Sequence, residues 1–165
     1  FHIPVRKRRF TILMNTAISV SGYRRVIEAE EAWKGKKILL TIDGAAHDSE
    51  VFLNGDKVGE HHCGYTAFTM DISGALRYGE KNILAVKVDS REDLNIPPFG
   101  YVIDYMTYGG IYRDVYLDIK NKDYIEDIFI RTDIGQMDDQ NAELISEVTV
   151  QRTQEGLFLK QSLKK

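Results

Sequence analysis

Asp104-Tyr105-Met106-Thr107-Tyr108-Gly109-Gly110-Ile111-Tyr112-Arg113-Asp114-Val115-Tyr116-Leu117 joins a glycine pair to an alternating apolar run. The glycines are a turn signal. From Ile111 to Ile119, residues Val115, Leu117 and Ile119 fall on one face, with Tyr116 and Asp118 on the other. That two-residue period is the mark of a half-buried β-strand. On one strand, the neighbours Arg113 and Asp114 point to opposite faces and do not pair. Arg113 is then expected to tie the long preceding loop or a neighbouring domain.

Upstream, the same period recurs. Lys37 to Asp43 puts Ile38, Leu40 and Ile42 on one face, and Asn82 to Asp89 carries Leu84, Val86 and Val88 in alternation. Between them, Glu50-Val51-Phe52-Leu53 runs into Asn54-Gly55, and Lys57-Val58-Gly59 returns the chain. Asn-Gly is the strongest short hairpin signal, because both central residues of a type I′ turn need positive φ. Glu28 to Lys34 and Ser73 to Gly79 read as single turns. Tyr23, Phe52, Tyr65, Phe68 and Phe129 are expected in the core. Short strands separated by Gly, Asn and Asp clusters predict an all-β sandwich or jelly roll rather than βαβ units.

Downstream, a boundary is expected at Lys120-Asn121-Lys122-Asp123, dividing the chain into residues 1–120 and 121–165. Tyr124 to Ile130 and Leu144 to Val150 read as two further strands, with the polar stretch Gly135 to Asn141 between them. So few strands cannot form a sandwich alone. They read as the start of a second domain, with strand edges left to pair.

Composition narrows the function classes. The 165 residues include 43% hydrophobic and 28% charged side chains, and the net charge is −3, so no global field recruits nucleic acid or an anionic membrane. The basic run Arg6-Lys7-Arg8-Arg9 reads as a solvated terminal or edge segment. No apolar run approaches the roughly 18 residues of a membrane-spanning helix. One cysteine, Cys63, allows no internal disulfide and agrees with a reducing, cytoplasmic location, although a chain beginning at Phe1 says little about a leader.

Two places invite chemistry. The first is the long loop from Asp89 to Gly110, which holds Pro97, Pro98, Tyr101, Asp104, Tyr105 and Tyr108. Loops of this length inside compact domains are uncommon and are usually functional or disordered. A carboxylate among tyrosines suits a sugar, because it accepts hydrogen bonds from vicinal hydroxyls while aromatic faces pack on the ring's C–H groups. The competing reading is that the tyrosines pack the loop down and Asp104 caps a turn. The second place is His61-His62-Cys63. Adjacent residues rarely point at one ion, so no metal is expected there, and the segment reads as a polar turn leading to a strand at Tyr65.

The order of these features resembles the N-terminal sugar-binding domain of family 2 glycoside hydrolases, the β-galactosidases and β-glucuronidases. The resemblance runs over residues 22–119. It rests on Gly22-Tyr23-Arg24-Arg25, Trp33-Lys34-Gly35-Lys36, the hairpin from Asp48 to Gly59, Gly64-Tyr65-Thr66-Ala67-Phe68-Thr69-Met70-Asp71-Ile72, Gly79-Glu80-Lys81-Asn82 and Gly110-Ile111-Tyr112-Arg113-Asp114-Val115. Each piece is weak alone, and their order is the signal. The resemblance implies a galactose-binding-domain-like jelly-roll sandwich over 1–120, followed by the first strands of a truncated immunoglobulin-like domain over 121–165.

It also implies that Asp104 reaches sugar hydroxyls, with Tyr105 and Tyr108 beside it, in a spacing closest to the glucuronidase-like pattern. Galactosidase members place the acid slightly further upstream, where this chain has Tyr101 and Val102, which leaves the sugar open. Retaining members use two carboxylates roughly 5–5.5 Å apart. In this family both are glutamates on a downstream TIM barrel of the same polypeptide, so the chain alone is expected to hold no catalytic residue and no cofactor. The implied ligand is a β-galactoside or β-glucuronide, and the domain's implied roles include buttressing the barrel and supplying a homo-oligomer contact. A free-standing carbohydrate-binding module and a structural sandwich scaffold are the rival readings. No Asp/Asn cluster stands at calcium-loop spacing to favour the module.

Overall fold

The computed structural model describes residues 6–10, 19–91, 93, 95, 109–133, 143–151, 155–156 and 158–162. The chain divides into two compact units, one over Pro4–Lys120 and the other holding Asn121–Lys165.

The first unit is a jelly-roll β-sandwich of two four-stranded antiparallel sheets. One sheet orders β1 (Arg6–Phe10), β10 (Val115–Lys120), β3 (Lys37–Ile42) and β7 (Phe68–Asp71). The other orders β2 (Val20–Glu28), β8 (Lys81–Asp89), β5 (Asp48–Leu53) and β6 (Asp56–His62). Two short strands, β4 (Ala45–Ala46) and β9 (Gly110–Ile111), pair beside them. The basic run is therefore an edge strand, as expected.

The predicted inward sets meet in the middle. Leu117 lies opposite Leu40 in one sheet and Val86 opposite Val51 in the other. Together with Ile38, Ile42, Leu53, Leu84, Val88, Val115 and Ile119 they form one buried core. Burying each such side chain stabilises the fold by about 1.5–3 kcal/mol. Trp33, from a short 3-10 turn at Glu31–Trp33, and Ile72 join the same core.

The hairpin forms as its sequence demands. Asn54 has φ 55° and Gly55 φ 99°, and Leu53 pairs with Asp56 across the turn.

Four expectations are corrected. The run Ile111 to Ile119 is two strands. Ala45 pairs with Ile111 and Ile42 with Val115, so Asp43 and Gly44 face the longer segment 112–114. This extra residue is a bulge, which breaks the alternation and frees Arg113 from the strand. His61 and His62 end strand β6 rather than forming a turn, and Tyr65 lies in the connection before β7. Tyr65 is exposed, standing in a connection rather than on the inward face of a strand. Phe129 is exposed because its strand has only one partner.

The second unit holds an antiparallel pair, β11 (Tyr124–Asp133) and β12 (Glu143–Gln151). Ile128, Phe129, Ile130 and Leu144 are exposed on it, because two strands have no opposing layer to bury them.

Candidate functional site

The sequence-predicted site residues Asp104, Tyr105 and Tyr108 lie outside the described residues. Both ends of their loop are described, and these ends define the site's frame. The loop leaves the sandwich after β8 and returns at β9.

Ser90 is the pivot. It is 1% exposed. Its hydroxyl donates to the Ala46 carbonyl at 2.7 Å and accepts from the Gly110 amide at 2.8 Å. One buried oxygen thus joins the loop's two ends to each other and to β4. On either side, the His47 amide donates to the Asp89 carbonyl at 2.9 Å and the Ser90 amide to the Ser19 carbonyl at 3.0 Å. Gly110 has φ 73°, and the Tyr23 hydroxyl fills the space where a Cβ would stand. The same hydroxyl accepts from the Ile111 amide at 3.4 Å. A side chain at 110 is excluded twice, by conformation and by that oxygen.

Beyond the pivot, the outgoing chain is held by local carboxylates. Arg91 grips Asp89 through Nε at 2.9 Å and Nη2 at 2.6 Å. This fork holds the Asp89 carboxyl below the ordinary range, against the opposing effect of burial. Asp93 accepts from the Asn95 amide at 2.7 Å, an Asx turn.

A third connection, 63–67, is pinned at the same end. Tyr112 donates through its hydroxyl to the Gly64 carbonyl at 2.5 Å, and Arg113 Nη1 to the Tyr65 carbonyl at 3.2 Å. The Arg113 guanidinium also lies 5.2 Å from the Tyr112 ring centroid. Burial pushes the Tyr112 hydroxyl's pKa up, with Cys63 adding to this and Arg113 opposing it. Arg113, expected to tie the long loop or another domain, holds the 63–67 connection among the described residues.

The two adjacent histidines point apart. His61 Nε2 meets Thr66 Oγ1 at 2.8 Å, and its ring stacks on Phe68 with centroids 4.4 Å apart. His62 Nδ1 meets Asp48 Oδ1 at 2.6 Å. Burial, then the neighbouring His62, lower the His61 pKa. The Tyr65 amide and Thr66 hydroxyl hold the Cys63 thiol below its usual range, against burial. This arrangement secures the connection and does not converge on a point where an ion would sit.

Asp71, at the end of Gly64-Tyr65-Thr66-Ala67-Phe68-Thr69-Met70-Asp71, is structural. Its Oδ1 accepts from the Ser73 hydroxyl at 2.5 Å and its Oδ2 pairs with Lys37 Nζ at 2.6 Å. The Ser73 oxygen in turn accepts from the Ile38 amide at 2.8 Å.

Sequence reasoning missed Ser90 and read Tyr23 only as core. A signal for Ser90 existed. It continues the inward series Leu84, Val86, Val88 by one more step, and a polar residue at an inward position must find partners.

The profile of the family described as "Glycosyl hydrolases family 2, sugar binding domain" matches residues 7–121. A β-galactosidase from Thermoanaerobacter pseudethanolicus is 42% identical over 132 residues, which make up 79% of this chain and 18% of that protein. A β-glucuronidase from Bacteroides fragilis is 40% identical over 103 residues, 62% of this chain and 14% of its own length. Among solved structures, the β-D-glucuronidase of Dictyoglomus thermophilum matches with a TM-score of 0.71 at 25% identity, covering 82% of this chain and 26% of that one. The chain therefore spans less than a fifth of the length of these curated relatives.

Proposed function

The chain belongs to glycosyl hydrolase family 2 as its sugar-binding domain, and from that membership we propose that it forms one wall of the sugar pocket in a longer retaining β-glycosidase. The substrates are β-galactosides or β-glucuronides, the activities named for its relatives. The observation that carries the proposal is the family match over 7–121 by a chain that corresponds to so small a share of those relatives.

On this reading, the two catalytic carboxylates stand on a TIM barrel elsewhere in the same polypeptide. This domain contributes recognition. Asp104 accepts hydrogen bonds from neighbouring sugar hydroxyls, and Tyr105 and Tyr108 present aromatic faces to the ring's C–H groups. Such contacts orient the glycosidic bond against the barrel's carboxylates, and fixed orientation is a substantial part of catalysis. The sandwich is a stiff support for this task, since the loop's two ends share one buried oxygen. The domain also buttresses the barrel and offers a surface for oligomer contact. Residues 121–165 begin an immunoglobulin-like domain, a reading supported by the apolar residues exposed on β11 and β12.

Nitrophenol release from β-galactoside and β-glucuronide reporters tests the proposal. The 165-residue chain alone is expected to release none, while the whole polypeptide turns over one of the two. Turnover by the isolated chain, or by neither, contradicts it.

A further inference from the structure

We propose that the face of β11 and β12 carrying Phe129 is a contact between two copies of this protein. The inference rests on the reading of residues 121–165 as the opening of a larger β domain, and its own support is the register of these two strands.

The pairing sorts the side chains onto two faces. In an antiparallel ladder, residues directly opposite point to the same side. Ile128 lies opposite Val148, Ile130 opposite Ser146 and Thr132 opposite Leu144. The register shift between Ile125 and Asp127 brings Ile125, opposite Val150, onto this side as well. Ile125, Ile128, Ile130, Leu144, Val148 and Val150 therefore share one face. On the reading above, the rest of the domain closes over it, as one face of an antiparallel sheet packs on a core.

The opposite face carries Phe129, Arg131, Ile145 and Glu147. Phe129 is 57% exposed there, and further strands closing over the first face leave it so. A lone exposed apolar side chain is ordinary, and the charges around Phe129 carry the inference. Phe129 lies opposite Glu147, and Arg131 opposite Ile145. These four residues are the corners of a patch of roughly 5 Å by 7 Å, one strand spacing by two residue rises. The apolar pair occupies one diagonal and the opposite charges occupy the other. Arg131 and Glu147 are exposed and form no ion pair among the described residues.

This pattern is complementary to itself. A two-fold axis along the Phe129–Ile145 diagonal stacks Phe129 on Phe129 of the second copy and Ile145 on its Ile145. The same axis sets each Arg131 over the other copy's Glu147. The strands of the two copies then cross near right angles, one of the two ways in which sheets pack face to face. An axis along the strands would instead set Phe129 on Glu147 and Arg131 on Ile145, leaving both charges unpaired. The charges thus select one arrangement, and that arrangement closes as a dimer.

Sedimentation of the whole polypeptide tests this, with nitrophenol release from the glycoside reporters measured on the same samples. Arg131→Glu and Glu147→Arg are each expected to raise the dissociation constant at least about ten-fold, and the double reversal to return it to within about three-fold of wild type. Both positions are exposed, so the melting midpoints should stay at the wild-type value. A polypeptide that stays monomeric, single reversals without effect, or a double reversal no better than the singles overturns the proposal. Ile130→Lys, on the core face, is expected to lower the melting midpoint. If it weakens association and leaves the midpoint unchanged, the faces are assigned the wrong way, and the reading of the second unit fails with the proposal. If the reversals behave as expected but neither reporter is turned over, the glycosidase reading fails and the contact stands.

Discussion

Asn54 and Asn82 form a side-chain amide pair that fastens the tip of one hairpin to the root of another strand. Asn54 Nδ2 donates to Asn82 Oδ1 at 2.9 Å, while Asn54 Oδ1 accepts from the Ile83 amide at 3.0 Å. Asn82 is fully buried, and it also accepts from the Arg77 amide and donates to the Arg77 and Glu80 carbonyls. This network stands at the Lys81 end of β8, opposite the end where Ser90 anchors the loop. The sandwich is thus held at both ends by buried polar groups.

Removing Asn82 strands several of those partners. Asn82→Leu is expected to destabilise the chain by about 2–4 kcal/mol, since each orphaned buried group costs roughly 1–3 kcal/mol. Urea denaturation at constant m-value measures this. A change within half a kilocalorie contradicts the role given to the pair. Asn54 adds a backbone term, because its φ is positive. Asn54→Ala should cost about 1 kcal/mol more than Asn54→Gly, the left-handed penalty of a Cβ.

Asp71 makes stability depend on acid. Burial pushes its carboxyl up, but Lys37 and Ser73 more than offset this, and the net shift is downward. A carboxyl lowered by folding stabilises above its unfolded pKa, and that contribution is lost as pH falls through the folded value. Wild type should therefore exceed Asp71→Asn in stability near neutral pH. The gap should narrow below about pH 4, the ordinary aspartate range. Thermal melts from pH 7 to pH 3 measure it, and parallel curves over that range count against the ion pair.

The strands of the second unit should behave as an exposed apolar surface. Phe129 is 57% exposed, and Ile128 and Ile130 beside it are exposed too. Large exposed apolar side chains on a short sheet favour association. Sedimentation of the 165-residue chain is expected to show concentration-dependent self-association that Phe129→Lys weakens. An unchanged distribution in the variant assigns the association to another surface.

Much of the sandwich was legible because its core residues obey a strict period. Ile38, Leu40 and Ile42 alternate without interruption, as do Leu84, Val86 and Val88, and each set is buried where alternation puts it. Asn54-Gly55 was legible because few residues tolerate two successive positive φ angles. The bulge at 112–114 was not, since an inserted residue leaves the apolar count intact while shifting its phase. The exposure of Phe129 was hidden for another reason: burial depends on how many strands lie beside a residue, which local pattern does not report. Ser90 was overlooked because one hydroxyl carries little weight in a hydrophobic pattern, although its inward phase marked it. Asp104, Tyr105 and Tyr108 were marked by loop length and side-chain chemistry, and only the resemblance singled out Asp104, as no periodicity governs a loop.

The kinetics of Asp104→Ala in the whole polypeptide test the central claim most directly. With a β-glucuronide and a β-galactoside reporter, the account predicts that kcat/KM for the accepted sugar falls by about 10- to 100-fold, the value of a charged hydrogen bond to substrate. The folded content and the melting midpoint should stay at wild-type values. Unchanged kcat/KM for both sugars would contradict the account and reduce this domain to a scaffold.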